Sequence, residues 1–276
     1  MFRRFWTDLW FLLLYVAIGL IVVGLAGAGM NALWGNGVLT MHLLQWVQNV
    51  ALMILPAVCW VRFYKKEKLS DDLYLRWPGW TTMLLTVVLM LVALPMFDAL
   101  AQACESLPLP QVLYDEAMRD KQTQDAVVRE MLSVEGIGGW VEALLLMAVV
   151  TAVGEECLFR GALLRCFVEP GKLGGYWQVV GVALAVGAVF SLCHGDVFGF
   201  VPRLLLGALF VVLVWRTGSL WPAVVAHAVN NTMAVVEIKA APQWLLSLGG
   251  AAWLVCLSGA LSVVVLWCLF RVRPRR

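Results

Sequence analysis

Gly154-Glu155-Glu156-Cys157-Leu158-Phe159-Arg160 interrupts an apolar stretch that runs from Val149 to Leu164. A charge near the centre of a membrane span costs roughly 2.5–3.5 kcal/mol on insertion scales, so ionisable groups there face a wet interior and serve a function. Of the three histidines in the chain, His194 and His227 also fall in or at the ends of apolar segments. The chemistry expected of this chain therefore lies inside a membrane.

Composition sets the class. The chain is 62% hydrophobic and 14% charged, with a mean hydropathy of +0.85. Soluble domains carry about 25% charged residues, so an all-α, polytopic membrane protein is predicted. A net charge of +2 and the lack of a basic run interleaved with aromatics argue against a nucleic-acid partner. The partners expected are membrane lipids and a membrane-associated protein or peptide substrate. Cys59, Cys104, Cys157, Cys166, Cys193, Cys256 and Cys268 form no Cys-x-x-Cys pair and read as small apolar fillers.

Apolar stretches lie near 5–27, 43–63, 79–101, 139–166, 175–193, 198–215, 219–237 and 244–270. Each approaches the ~20 residues that span a bilayer, which predicts about eight transmembrane helices. The first follows Arg3 and Arg4 but exceeds the ~7–15 residue core of a signal peptide, so a retained anchor is expected. Basic residues then alternate across the spans: Arg3 and Arg4; Arg62, Lys65, Lys66 and Lys68; Arg165 and Lys172; Arg216; and Arg271, Arg273, Arg275 and Arg276. The loops 28–42, 194–197 and 238–243 between them lack lysine and arginine apart from Lys239, so both termini are expected in the cytoplasm, with a bacterial plasma membrane the expected location. Trp6, Trp46, Trp60, Trp77, Trp80, Trp140, Trp177, Trp221 and Trp244 sit near segment ends and read as interfacial anchors. One long polar connection, Gln102 to Gly138, should lie outside the cytoplasm and hold a solvated helix over Tyr114 to Val134 on the membrane face. The chain divides into N-terminal helices and the polar loop (1–138), a catalytic core (139–240), and a last helix with a basic tail (241–276).

Helical spacing sorts the polar groups. Glu156 and Arg160 stand at i and i+4 and can pair, whereas Glu155 points about 100° away and remains the unpaired carboxylate, free to act as a general base. A tie between helices through Arg160 is the alternative reading of both glutamates. Phe190 and His194 share a face, as do His227 and Asn231. A base, an imidazole partner and two donors able to stabilise an oxyanion suffice for attack of water on an amide.

At these residues the sequence resembles the CAAX-protease and bacteriocin-processing (Abi) family of intramembrane endopeptidases. Its motifs match Glu155-Glu156-x-x-x-Arg160, Phe190-x-x-x-His194 and His227-x-x-x-Asn231, with the lead-in Thr217-Gly218-Ser219-Leu220-Trp221-Pro222. The resemblance covers roughly 140–235. It implies that Glu155 and His194 activate a water, that His227 and Asn231 hold the oxyanion, and that Glu156 and Arg160 orient the site. It also implies peptide-bond hydrolysis without a covalent intermediate, on lipidated CaaX-like or other membrane-associated substrates. Asn230 beside Asn231 is the competing amide.

Zinc is the alternative, with Glu155, His194 and His227 as its ligands, because catalytic zinc takes three protein ligands and a water. The sequence has no His-Glu-x-x-His helix, Arg160 adds positive charge beside the carboxylates, and a metal-free site with no required cofactor is expected. Two other classes compete: a transporter or channel relaying protons through the same groups, and a silent scaffold or immunity protein. The polar groups are confined to the C-terminal half, unlike the paired halves of many transporters. One conflict arises from depth. If the fifth span begins at 175, His194 lies at its far end, so the segment from Gly174 to Val182 is expected to run along the interface or steeply tilted and bring His194 to mid-depth.

Overall fold

The computed structural model describes residues 2–168, 175–240 and 251–272. Lys172, Gly174, Trp244, Arg273, Arg275, Arg276 and the end of the 238–243 loop, to which the sequence assigns roles, lie outside the described residues. Among the described residues all regular structure is helical, as predicted. The helices are α1 (Phe2–Trp34), α2 (Val38–Lys65), α3 (Trp80–Glu105), α4 (Gln111–Met131), α5 (Gly136–Phe167), α6 (Tyr176–Leu192), α7 (Phe200–Thr217), α8 (Trp221–Ala240) and α9 (Ala252–Arg271), with one further turn at Leu69–Asp72.

Each of the eight apolar stretches contributes a helix, but among the described residues six helices are long and apolar enough to cross a membrane: α1, α2, α3, α5, α7 and α9. The two that differ from the expected eight do so for readable reasons. Helix α6 has 17 residues, and α8 carries His227, Asn230, Asn231, Glu237 and Lys239, which lower its hydropathy.

Contacts gather one set of helix ends at a single face. Phe5 packs on Phe167 with ring centroids 5.0 Å apart. Asp8 accepts from Lys65 Nζ at 3.1 Å and Tyr64 Oη at 2.7 Å. Trp221 Nε1 donates to Leu75 O at 3.1 Å, and Arg216 donates to the carbonyls of Phe270 and Val272. This basic face therefore holds the start of α1, the ends of α2, α5, α7 and α9, and the start of α8. Trp60, expected as an interfacial anchor, is instead fully buried there and donates to Asp8 O at 3.0 Å, because a buried indole N–H needs an acceptor.

Below the functional residues one apolar core joins elements from the whole chain, including Leu12, Trp60, Leu89, Phe159, Phe210 and Leu269. Helix α3 contains Pro95, which cannot donate a backbone bond. The Ser258 hydroxyl of α9 enters the same turn, accepting from Met96 N at 3.3 Å and donating to Val92 O at 2.7 Å. The polar connection forms α4, close to its expected limits. It is more firmly held than a helix lying free on a membrane: Ala117 and Met131 are buried, His42 Nε2 lies 2.8 Å from Met131 O, and Lys239 Nζ donates to Leu132 O and Val134 O.

Candidate active site

Helix α5 is not a uniform α-helix. Residues 144–150 and 157–163 form wide π-type turns, with a normal turn, Thr151–Glu156, between them. Such turns recur at functional sites, where they re-aim side chains. Gly154 allows α2 to approach, since a Cβ there would stand 3.1 Å from Met53 Cβ. Asn49 Nδ2 donates to Thr151 Oγ1 at 3.2 Å and secures the same contact.

Glu156 and Arg160 pair as their spacing predicts. Arg160 Nη1 donates to Glu156 Oε1 at 2.8 Å, Nη2 donates to Gly207 O at 3.0 Å, and both side chains are fully buried. The guanidinium carbon lies 4.4 Å from the Phe190 ring centroid and 5.1 Å from that of Phe210. Space for it depends on two glycines. A Cβ on Gly207 would stand 2.9 Å from Gly187 Cα and 3.1 Å from Arg160 Nη2, and one on Gly187 would stand 2.5 Å from Leu204 O. Helices α6 and α7 thus meet backbone to backbone beside the arginine.

Glu156 has a second partner. His227 Nδ1 lies 2.8 Å from the same Oε1 that receives Arg160. An ionised carboxylate only accepts, so Nδ1 carries the proton and the neutral ring presents a bare Nε2. Phe210 stacks on this imidazole, with centroids 5.4 Å apart.

His194 follows the last turn of α6. Its Nδ1 lies 2.8 Å from Phe190 O, and a carbonyl likewise only accepts, so its Nε2 is also bare in the neutral ring. The two Nε2 atoms converge on one oxygen: Glu155 Oε2 is 4.0 Å from His194 and 3.8 Å from His227. That oxygen is buried and accepts no hydrogen bond from the described residues. Burial holds the His194 imidazole below the ordinary histidine range, against the opposing pull of Glu155.

The structure thus brings Glu155, Glu156, Arg160, His194 and His227 together. Asn231, one turn beyond His227, donates to Met147 O of α5 at 3.2 Å and accepts from Asn230 at 3.4 Å, so part of its amide links helices above the cluster. The depth conflict resolves with α6 whole. Helix α6 is unbroken from Tyr176, with no separate interfacial segment within its described part. His194, two residues past its end, lies beside Glu155, with Nε2 4.0 Å from Oε2. The Glu156–His227 contact joins residues 71 positions apart and has no trace in local spacing. Phe210 and the Gly187/Gly207 crossing were not singled out either, although small residues in two successive apolar helices are the sequence signal of close packing.

A tetrahedral zinc with bonds of ~2.0–2.2 Å needs ligand atoms about 3.4 Å apart. Glu155, His194 and His227 stand wider than that, and among the described residues no group of three or more His, Cys, Asp or Glu is placed to hold a metal. As placed, these donors do not fit zinc. Their separations suit a hydrogen-bonded water, which at ~2.8 Å from two atoms about 4 Å apart subtends roughly a right angle.

Neither the curated proteins nor the solved structures provide a match to this chain. A family model does: type II CAAX prenyl endopeptidase Rce1-like, over residues 138–233, a range that contains every residue of the cluster. With the three motifs folded into one site within that range, residues 138–233 are similar to the CAAX-protease family of membrane endopeptidases.

Proposed function

We propose that this protein hydrolyses a peptide bond of a membrane-associated polypeptide with a water activated by Glu155 and His194. The observation that carries this reading is the buried Glu155 Oε2, which lacks a donor from the described residues and faces the Nε2 atoms of two histidines. A buried carboxylate oxygen requires a donor, and water supplies one while leaving a lone pair for attack.

In the proposed reaction the water donates one hydrogen to Glu155 Oε2 and one to His194 Nε2. Its oxygen attacks the substrate carbonyl carbon, and Glu155 takes the proton. His227, in its protonated form, donates from Nε2 to the oxyanion while Glu156 holds the positive ring through Nδ1. The amide hydrogen of Asn231 not committed to Met147 is the second donor. Arg160 holds Glu156 in place. As the carbon–nitrogen bond breaks, Glu155 passes its proton to the leaving amine, and a carboxyl group and an amine result. No metal takes part in these steps. The site belongs to the membrane, and a bacterial plasma membrane is the proposed location.

A survey of protein termini tests this reading without any guess at the substrate. Membranes from cells carrying the wild-type chain, a deletion, or Glu155→Gln at matched expression are compared. Termini lost equally in the deletion and in Glu155→Gln support proteolysis. Termini unchanged between wild type and Glu155→Gln refute it in favour of a scaffold, and ion or solute flux that depends on Glu155 would favour a transporter.

A further inference from the structure

The site is closed on one side and open on the other. Along α8, Pro222, Ala223, Val224, Ala226 and His227 are buried, whereas every residue from 228 to 233 is half-buried. Along α5, each residue from Glu156 to Cys166 is buried, whereas the Glu155 and His194 side chains keep 13% and 32% of their surface exposed. The basic-face side of the cluster is therefore packed protein, which leaves the opposite side as the way in.

Helix lengths give the same direction. From Glu155, α5 continues for a further ~28 Å to Gly136, and from His227, α8 continues for ~20 Å to Ala240, at ~1.5 Å per residue. The α6–α7 hairpin instead turns at residues 193–199, immediately at His194. The hairpin stops short of its neighbours and leaves a recess above the two histidines. Cys193, Gly195 and Val197 on this turn are exposed.

The recess is wet rather than lipid-filled. Asp196 and Arg203 form an ion pair at 2.8 Å beside His194, and the backbone of Phe198 donates to Asp196. Tyr114 of α4 packs edge-on against Phe198, with centroids 5.7 Å apart. Helix α4 exposes Asp115, Glu116, Asp120 and Asp125, which hydrocarbon would not tolerate. A helix in water thus touches the turn that holds a catalytic histidine.

The two faces differ in charge. Arg4, Arg62, Lys65, Arg76, Arg165, Arg216 and Arg271 lie at the helix ends of the closed side, and lysine and arginine concentrate on the cytoplasmic side of a membrane protein. We propose that the active site opens to the non-cytoplasmic side, so that its substrate is an extended polypeptide segment presented on that face and not the carboxyl-terminal tail of a cytoplasmic protein. The assignment rests on the protease reading for its substrate and on geometry alone for its side of access.

Native Cys193, adjacent to His194, is the reporter. The full-length chain in right-side-out and inverted membrane vesicles is treated with a membrane-impermeant maleimide, with Cys193→Ser as the blank, Val197→Cys as a second reporter and Lys66→Cys marking the basic face. Expected is at least tenfold faster modification of Cys193 or Val197→Cys in the vesicle orientation that protects Lys66→Cys. Modification from the same face as Lys66→Cys overturns the proposal. So does failure of both reporters to react from either face, because the recess would then be closed. Labelling needs no catalysis, so these outcomes stand apart from the termini survey, whose Glu155-dependent cuts should map to non-cytoplasmic segments. Cuts in cytoplasmic tails would contradict the access assignment while leaving the protease reading intact.

Discussion

The two sides of the catalytic cluster are built on opposite rules. Toward the basic face, Phe159, Phe190 and Phe210 surround a fully buried arginine whose Nη1 and Nη2 donate to one carboxylate and one carbonyl, while its Nε finds no acceptor among the described residues. Toward the other face, α8 is half-buried, the hairpin turn is exposed, and α4, which carries exposed charges, touches that turn through Tyr114. The dry side fixes geometry, and the wet side supplies water and substrate. Glu155 and the two histidines lie on the boundary, where an unpaired carboxylate oxygen can be both held in place and reached.

If the dry side sets the geometry, breaking it should cost the most. Arg160→Ala removes the partner of a buried carboxylate, which is expected to destabilise the protein by about 3–5 kcal/mol. Thermal melting in detergent should show this as a large fall in Tm, with activity lost too. Preserved stability would mean that water reaches Glu156 and that the two sides are not distinct. Gly187→Val is expected to be milder. Its side chain would meet the Leu204 carbonyl and separate α6 from α7, at about 1–3 kcal/mol for overpacking. Because His194 hangs from the end of α6, kcat should fall more than the melting temperature alone explains. An equivalent substitution at Gly181, which has open space around it, is the control.

The smallest effect concerns pH. His194 must be neutral to accept from water, and burial lowers its pKa. Its neutral form therefore persists below the ordinary histidine range, near 6.5. As pH falls, activity should be lost only at pH below that range, through protonation of Nε2. A loss that begins above it would show that His194 is more solvated than its place at the recess floor implies.

Much of this site was legible in the sequence because helical spacing is a local rule. The i, i+4 relation paired Glu156 with Arg160 and left Glu155 unpaired, and the structure holds both relations. Loop charges indicated a basic face, which ring contacts and hydrogen bonds assemble among the described residues. What spacing could not show was long-range. The Glu156–His227 contact depends on how α5 and α8 are apposed. The level of His194 depends on how α6 is set against its neighbours, which a span-by-span count does not show. Trp60 was misplaced for a related reason, since its position near a segment end does not reveal that Asp8 supplies a buried acceptor beside it.

The most direct measurement uses a peptide spanning a cut site identified by the termini survey, incubated with the purified full-length protein in liposomes. Wild type and Glu155→Gln are compared at matched folding, verified by equal melting temperatures. Loss of the general base should lower kcat by about 10²–10⁴-fold, with the peptide still bound. Cleavage by Glu155→Gln within threefold of wild type would contradict the assignment of Glu155 as the group that activates water.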